Sequence, residues 1–156
     1  MSTLNDYIGK TVDIVAFQGS QPRGEVQLQQ TFALPGTGGT IATGIVKLGQ
    51  RFLIEILTER GSLRHRPARG STFMVEVRSQ YIRTATELYA AFARGLLDVR
   101  RNLRAEENDN DPLDEQYGGA EIVSIELQAG NAKVFVAVRS RDPAAVAVLP
   151  IAVSLT

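Results

Sequence analysis

The chain contains no cysteine, so neither a disulfide nor a thiolate metal site can be built from it. With a single histidine, His65, a histidine-based metal cluster is excluded as well. Charge of a dominant sign is also missing. Seventeen basic residues balance seventeen acidic ones, for a formal net charge of zero. A protein whose main work is nonspecific nucleic-acid binding usually carries a basic excess, so that class is disfavoured. No stretch reaches about 18 consecutive apolar residues, the length that marks a membrane helix. The N-terminal "MSTLNDYIGK" has no apolar segment behind a basic start, so no signal peptide is expected. These absences point to a protein made and assembled in a cytoplasm. Zero net charge also weakens colloidal solubility, which suits a subunit of an assembly better than a free protein.

What is present reads as one globular α+β unit. At 156 residues, with 44% hydrophobic and 22% charged content, the chain can bury a real core. Segments 7–17 and 25–34 read as two strands joined through Gly19, Pro22 and Gly24, a hairpin arm. "PGTGGT" at 35–40 then breaks the chain as a hinge. From Thr40, a possible N-cap, the spacing of Ile41, Ile45, Leu48, Phe52 and Ile56 predicts a helix that Gly61 should stop. Gly44 and Gly49 inside it suggest close packing against another element. "TFMVEVRS" at 72–79 reads as a short strand or the lead-in to a helix. Thr84 followed by Glu87 spells a capping box, and Leu88, Phe92, Leu96, Val99 and Leu103 continue a second amphipathic helix. Arg94, Arg100, Arg101 and Arg104 lie in its second half, where positive charge suits the helix dipole.

The last third alternates as strands. Segments 120–128 and 132–140 flank "AGN", with Val123, Ile125 and Leu127 on one face and Val134, Val136 and Val138 on another. "RDPAA" turns into "VAVLPIAVSL", where Pro150 lacks a backbone donor and demands an edge strand or a bulge. An apolar edge strand invites a covering partner.

Candidate chemistry is sparse. Glu55 and Glu59 stand four apart on the first helix, a spacing that could mimic a glycosidase carboxylate pair. Surface i,i+4 carboxylates are routine, so both are expected to be exposed, with Arg51 and Arg60 at hand as ion-pair partners. "DNDPLDE" lacks the Gly and Glu positions of a calcium loop and is expected to be solvated. The glycines of "PGTGGT" are not followed by Gly-Lys-Ser/Thr, so they do not make a phosphate loop. No catalytic, cofactor-binding or metal-binding residue is assigned. The remaining cluster is basic: "LTERGSLRHRPARGSTF", residues 57–73, holds Arg60, Arg64, Arg66 and Arg69 around His65. It has no interleaved aromatics for base stacking, and Gly61, Pro67 and Gly70 suggest a defined turn.

The order of these features resembles the sheath-initiator family of contractile phage tails, baseplate-wedge proteins some of which are labelled lysozyme-like. That family shows a helix ending in Leu-x-Thr-x-x-Gly, then a Pro, then a Gly-Ser. Leu57, Thr58, Gly61, Pro67, Gly70 and Ser71 occupy those places, and the resemblance spans about residues 40–140. Ser62 stands where members often carry Glu. The family's Glu-Pro-Arg triplet is replaced by "GAEI" at 119–122, with Glu121 at the usual Arg position. The first 36 residues match nothing in the pattern.

The resemblance implies a structural, non-enzymatic virion protein of the tail baseplate, assembled in the host cytoplasm, six copies to a ring around the tail tube. Its expected partners are tail sheath protein, tube or hub proteins and wedge proteins, with no nucleic acid, membrane or cofactor. Val134, Val136, Val138, Val146, Val148, Ile151 and Val153 are expected to present a C-terminal β-edge to sheath. Arg60, Arg64, Arg66 and Arg69 are expected to face an acidic surface on a neighbour. The alternatives are a wedge or tube-adaptor subunit and a muramidase using Glu55 or Glu59. The expected fold is two amphipathic helices on a small antiparallel sheet with a C-terminal hairpin (37–156), plus an N-terminal β-hairpin arm (1–36).

Overall fold

A computed structural model describes residues 13–14, 17–18, 29–30, 41–79, 82–128 and 130–155. Four two-residue strands come first: β1 (Asp13–Ile14), β2 (Phe17–Gln18), β3 (Gln29–Gln30) and β4 (Ile41–Ala42). β1 pairs antiparallel with β4, and β2 with β3. The rest of the expected arm and the hinge at 35–40 lie outside the described residues.

Three helices follow, α1 (Gly44–Leu57), α2 (Phe73–Arg78) and α3 (Ala85–Glu106). The C-terminal third is an antiparallel meander of β5 (Tyr117–Gln128), β6 (Asn131–Ser140) and β7 (Val146–Ser154), in that spatial order. The α+β arrangement read from the sequence is the one observed.

The helical periodicity is honoured with shifted ends. Leu48, Phe52 and Ile56 are buried and Ile45 packs against them, but Ile41 belongs to β4, ahead of the helix. The N-cap is Thr43, not Thr40, and its side chain makes no capping bond. Gly44, with φ of +58°, turns the chain into the helix, and its N–H donates to Glu115 Oε1 at 3.1 Å. Lys47 Nζ donates to the other oxygen of Glu115, also at 3.1 Å. A carboxylate 71 residues away therefore caps α1, satisfying an orphan donor at the positive end of the helix dipole. At the other end the helix stops at Thr58, three residues before Gly61, where the chain leaves for the basic loop.

The 72–79 segment resolves as the six-residue helix α2. α3 begins as its sequence spells. Thr84 Oγ1 accepts from Glu87 N–H at 3.2 Å, and Glu87 Oε2 accepts from Thr84 N–H at 3.0 Å. Thr84→Ala should therefore cost about 1 kcal/mol in urea denaturation. Backbone N–H bonds from Arg83 and Thr84 hold the Glu87 carboxyl below its ordinary 4.5. A lowered folded-state pKa means that this capping contribution is complete above the ordinary carboxylate range. It fades as pH falls through the lowered value.

The core lies between the helices and one face of the sheet. Ala132, Val134, Val136 and Val138 of β6 and Ala147, Leu149, Ile151 and Val153 of β7 are all buried there. α1 crosses β6 and β7, where Gly49 lets Leu149 approach closely: a Cβ on Gly49 would sit 3.5 Å from its methyls. Phe52 stacks on Tyr117 of β5 (6.4 Å between centroids), and Phe73 of α2 meets Phe92 of α3 edge to face at 5.4 Å. The alternation expected on β5 breaks. A register shift falls at Val123, so Ile122 and Ile125 both pack on the core while Val123 is exposed. One extra residue in a bulge reverses which side chains point inward, and no local alternation encodes that.

A tied loop and an open strand edge as the candidate functional site

The stretch between α1 and α2 is an Ω-loop whose two ends meet. Thr58 O accepts from Ser71 N–H at 2.8 Å and Ser71 O from Arg60 N–H at 3.0 Å, a short parallel bridge at the neck. Ser71 Oγ donates to Ile56 O at 2.8 Å and accepts from Phe73 N–H at 3.3 Å, joining the last turn of α1 to the first of α2. Within the loop, successive turns are closed by Ser62 N–H to Glu59 O, Arg66 N–H to Leu63 O and Arg69 N–H to Arg66 O. Gly70 is required at the neck. Its φ is +85°, and a Cβ there would lie 2.4 Å from Thr58 O.

Beneath the neck sits Glu55, only 1% exposed. Its Oε2 accepts from Gly70 N–H at 3.1 Å and from Asn102 Nδ2 at 3.0 Å, while Oε1 pairs with Arg69. Asn102 Nδ2 also donates to Gly70 O at 3.0 Å. Asp98, one turn earlier on α3, accepts from Thr72 N–H at 3.1 Å and from Arg60 at 3.2 Å. Glu106, two turns later, takes Arg66 at 3.3 Å and also pairs with Arg69 and Arg51. Asp98, Asn102 and Glu106 are spaced by four, so α3 presents one polar rail to the loop. Buried polar atoms need partners, and here loop and rail supply each other.

These contacts correct three sequence readings. Glu55 is not an exposed helix carboxylate, because the loop folds over it. Glu59 pairs with Arg78 at the surface, not with Arg51 or Arg60. Of the four loop arginines, Arg60, Arg66 and Arg69 find their carboxylates inside the chain, on α1 and α3. Arg64 makes no ion pair among the described residues, and with Leu63 and His65 it stands exposed at the loop tip. The acidic segment 106–115 is likewise bonded, not merely solvated: Glu107 pairs with Arg141 and accepts from Tyr117 N–H, and buried Glu115 caps α1. The rail and Glu115 were missed because their partners lie far along the chain. The one available signal was Asp98 and Asn102 falling beside the apolar positions Val99 and Leu103.

The second feature is β7. Val134, Val136, Val138, Ile151 and Val153 are buried under the helices, leaving Val146 and Val148 on the opposite face of the sheet. At one end of the β6–β7 pair Leu155 N–H donates to Gly130 O at 2.7 Å; at the other, Ser140 N–H donates to Ala145 O at 3.1 Å. Bonded and non-bonded pairs alternate along an antiparallel ladder. Val134↔Ile151, Val136↔Leu149 and Val138↔Ala147 therefore carry the bonds, and Phe135↔Pro150 and Ala137↔Val148 do not. It follows that the N–H groups of Val146, Val148 and Ala152 point away from β6, and no described strand pairs there. Pro150 falls in the same outward row and leaves a gap at its centre, as an edge position tolerates.

Chemically, the site is suited to holding shape. The Glu55 carboxylate is buried and engaged on both oxygens by groups of the loop and α3. Among the described residues no group of His, Asp and Glu is placed to hold a metal ion, and no helix is long and apolar enough to cross a membrane. In a cleft of about 390 Å³ lined by Lys47, Arg51, Ile54, Arg69, Glu106, Asn108 and Asp111, Arg51 and Arg69 pair with Glu106, and Lys47 pairs with Glu115. No protein-family model, curated protein or solved structure matches this chain.

Proposed function

We propose that this chain is a structural baseplate subunit of a contractile phage tail, a sheath initiator that surrounds the tail tube and templates the first sheath ring. The observation that carries this reading is the outward row of backbone groups on β7, at a sheet edge with which no described strand pairs. A sheath segment adding to that edge as a strand would satisfy those groups, and Val146 and Val148 would meet its side chains. Further support comes from the residues that carry the family resemblance. Thr58, Gly70 and Ser71 form the neck of the Ω-loop, and Gly61, with φ of +89°, shapes its first turn. In this reading the loop presents Leu63, Arg64 and His65 to a neighbouring wedge, tube or hub protein.

A chain cut after Asp142 cannot test this, because it loses Ala147, Leu149, Ile151 and Val153 from the core. Val148→Pro with Ala152→Pro is cleaner: each removes one outward N–H and leaves the bonds to β6 intact. The double variant should keep its circular dichroism and melting profile but recover at least tenfold less sheath protein in a pull-down from cells expressing the tail genes. Equal recovery by parent and variant would show that sheath does not use this edge. Recovery of tube or hub proteins alone, by both, would make the chain an adaptor.

A further inference from the structure

α3 carries a second face that nothing in the core or the loop uses. Thr86, Tyr89, Ala93, Leu97, Arg100 and Arg104 are spaced by three, four, four, three and four, so they form one stripe along the helix. All six are exposed, Tyr89 at 55% and Leu97 at 69%. The stripe runs roughly 27 Å at 1.5 Å per residue. Tyr89, Ala93 and Leu97 make its middle largely apolar, and Arg100 and Arg104 make its C-terminal end cationic. The other arginines of the helix have carboxylates, Arg94 on Glu76 and Arg101 on Asp98. Among the described residues Arg100 and Arg104 have none. Their positive charges partly offset the burial that pushes the Tyr117 hydroxyl up to about 12.

We propose that this stripe docks an acidic amphipathic helix of a partner protein. The partner is helical because Tyr89, Ala93 and Leu97 form an i,i+4 row on α3, the ridge that packs into the groove of a second helix. Ala93 between Tyr89 and Leu97 forms a shallow notch that an apolar side chain of a facing helix can enter. The partner is acidic because two cations one turn apart would otherwise be covered without a counter-charge, which is costly. Its apolar residues therefore recur at three- and four-residue spacing, with two carboxylates one turn apart beside them. This surface is separate from the β7 edge and does not depend on the baseplate reading.

The test places a photoreactive benzoyl-phenylalanine at Leu97 of the full chain, in the cells that naturally make it, and sequences the cross-linked peptide. The expected adduct is a helical segment of another protein with carboxylates beside its apolar ridge. Arg100→Glu with Arg104→Glu should reduce that adduct at least tenfold, and reversing the partner's carboxylates to lysine should restore it. Arg83→Glu, off the stripe, should leave it unchanged. Circular dichroism of each variant confirms that the exposed changes spare the fold. An adduct with a second copy of this chain, with nucleic acid or with a non-helical segment overturns the proposal. So does the absence of any adduct, or one indifferent to the charge reversal.

Discussion

Glu55→Ala should lower the free energy of unfolding by about 3–5 kcal/mol, read as a fall in the urea midpoint at unchanged slope. A surface helix carboxylate replaced by alanine would change stability by no more than about 0.5 kcal/mol, so the two outcomes are well separated. The loss has identifiable parts. Gly70 N–H and one of the two N–H groups of Asn102 Nδ2 lose their acceptor in a site closed to water, the other keeping Gly70 O, and each buried donor left unpaired costs about 1–3 kcal/mol. Arg69 is not stranded, because Glu106 still pairs with it and part of its side chain reaches solvent. That moderates the total. Glu55→Gln keeps the volume and one acceptor, and should cost less than Glu55→Ala. A change within 0.5 kcal/mol for the alanine variant would mean that the loop does not close over Glu55 in solution.

Gly70→Ala should be nearly as damaging, at about 3 kcal/mol or more. A left-handed residue other than glycine costs about 1–2 kcal/mol through its backbone alone. Here the added methyl also meets Thr58 O at 2.4 Å, and that carbonyl is held by Ser71 N–H at the neck. The oxygen cannot retreat without opening the bridge. Gly61→Ala is the matched comparison: its φ is +89°, but a Cβ there meets nothing within 4 Å. The difference between the two variants isolates the clash at the neck. Hydrogen exchange should show the Ser71 and Arg60 amides losing protection in Gly70→Ala and keeping it in Gly61→Ala. Because Gly70 and Glu55 share a hydrogen bond, the double variant should be less destabilised than the sum of the two.

Much of the fold was legible because its signals are local. The spacing of Leu48, Phe52 and Ile56 and the Thr84–Glu87 pair depend on neighbours within one or two helical turns. Pro150 announces an edge strand or a bulge through a donor it lacks, wherever the rest of the chain lies. The site was less legible, since a charge in the sequence does not say which distant charge it will meet. Arg60, Arg66 and Arg69 read as a cluster awaiting an external acid. Their acids come from α1 and α3, as much as 40 residues away. Glu115 reads as part of a solvated acidic run until the fold brings it to the N-terminus of α1.

By itself, then, the sequence determined the α+β class, the two long helices and the antiparallel C-terminal strands, and narrowed the last to an edge strand or a bulged one. Each follows from periodicity or from the fixed geometry of one residue type. Only the tertiary structure decided that Glu55 is buried, that the basic loop is tied to a polar rail on α3, and that a bulge turns Val123 outward. It also settled which backbone groups of β7 face away from the sheet. Those outcomes depend on contacts between residues far apart in the chain, where burial makes each polar group take whatever partner the packing brings within reach.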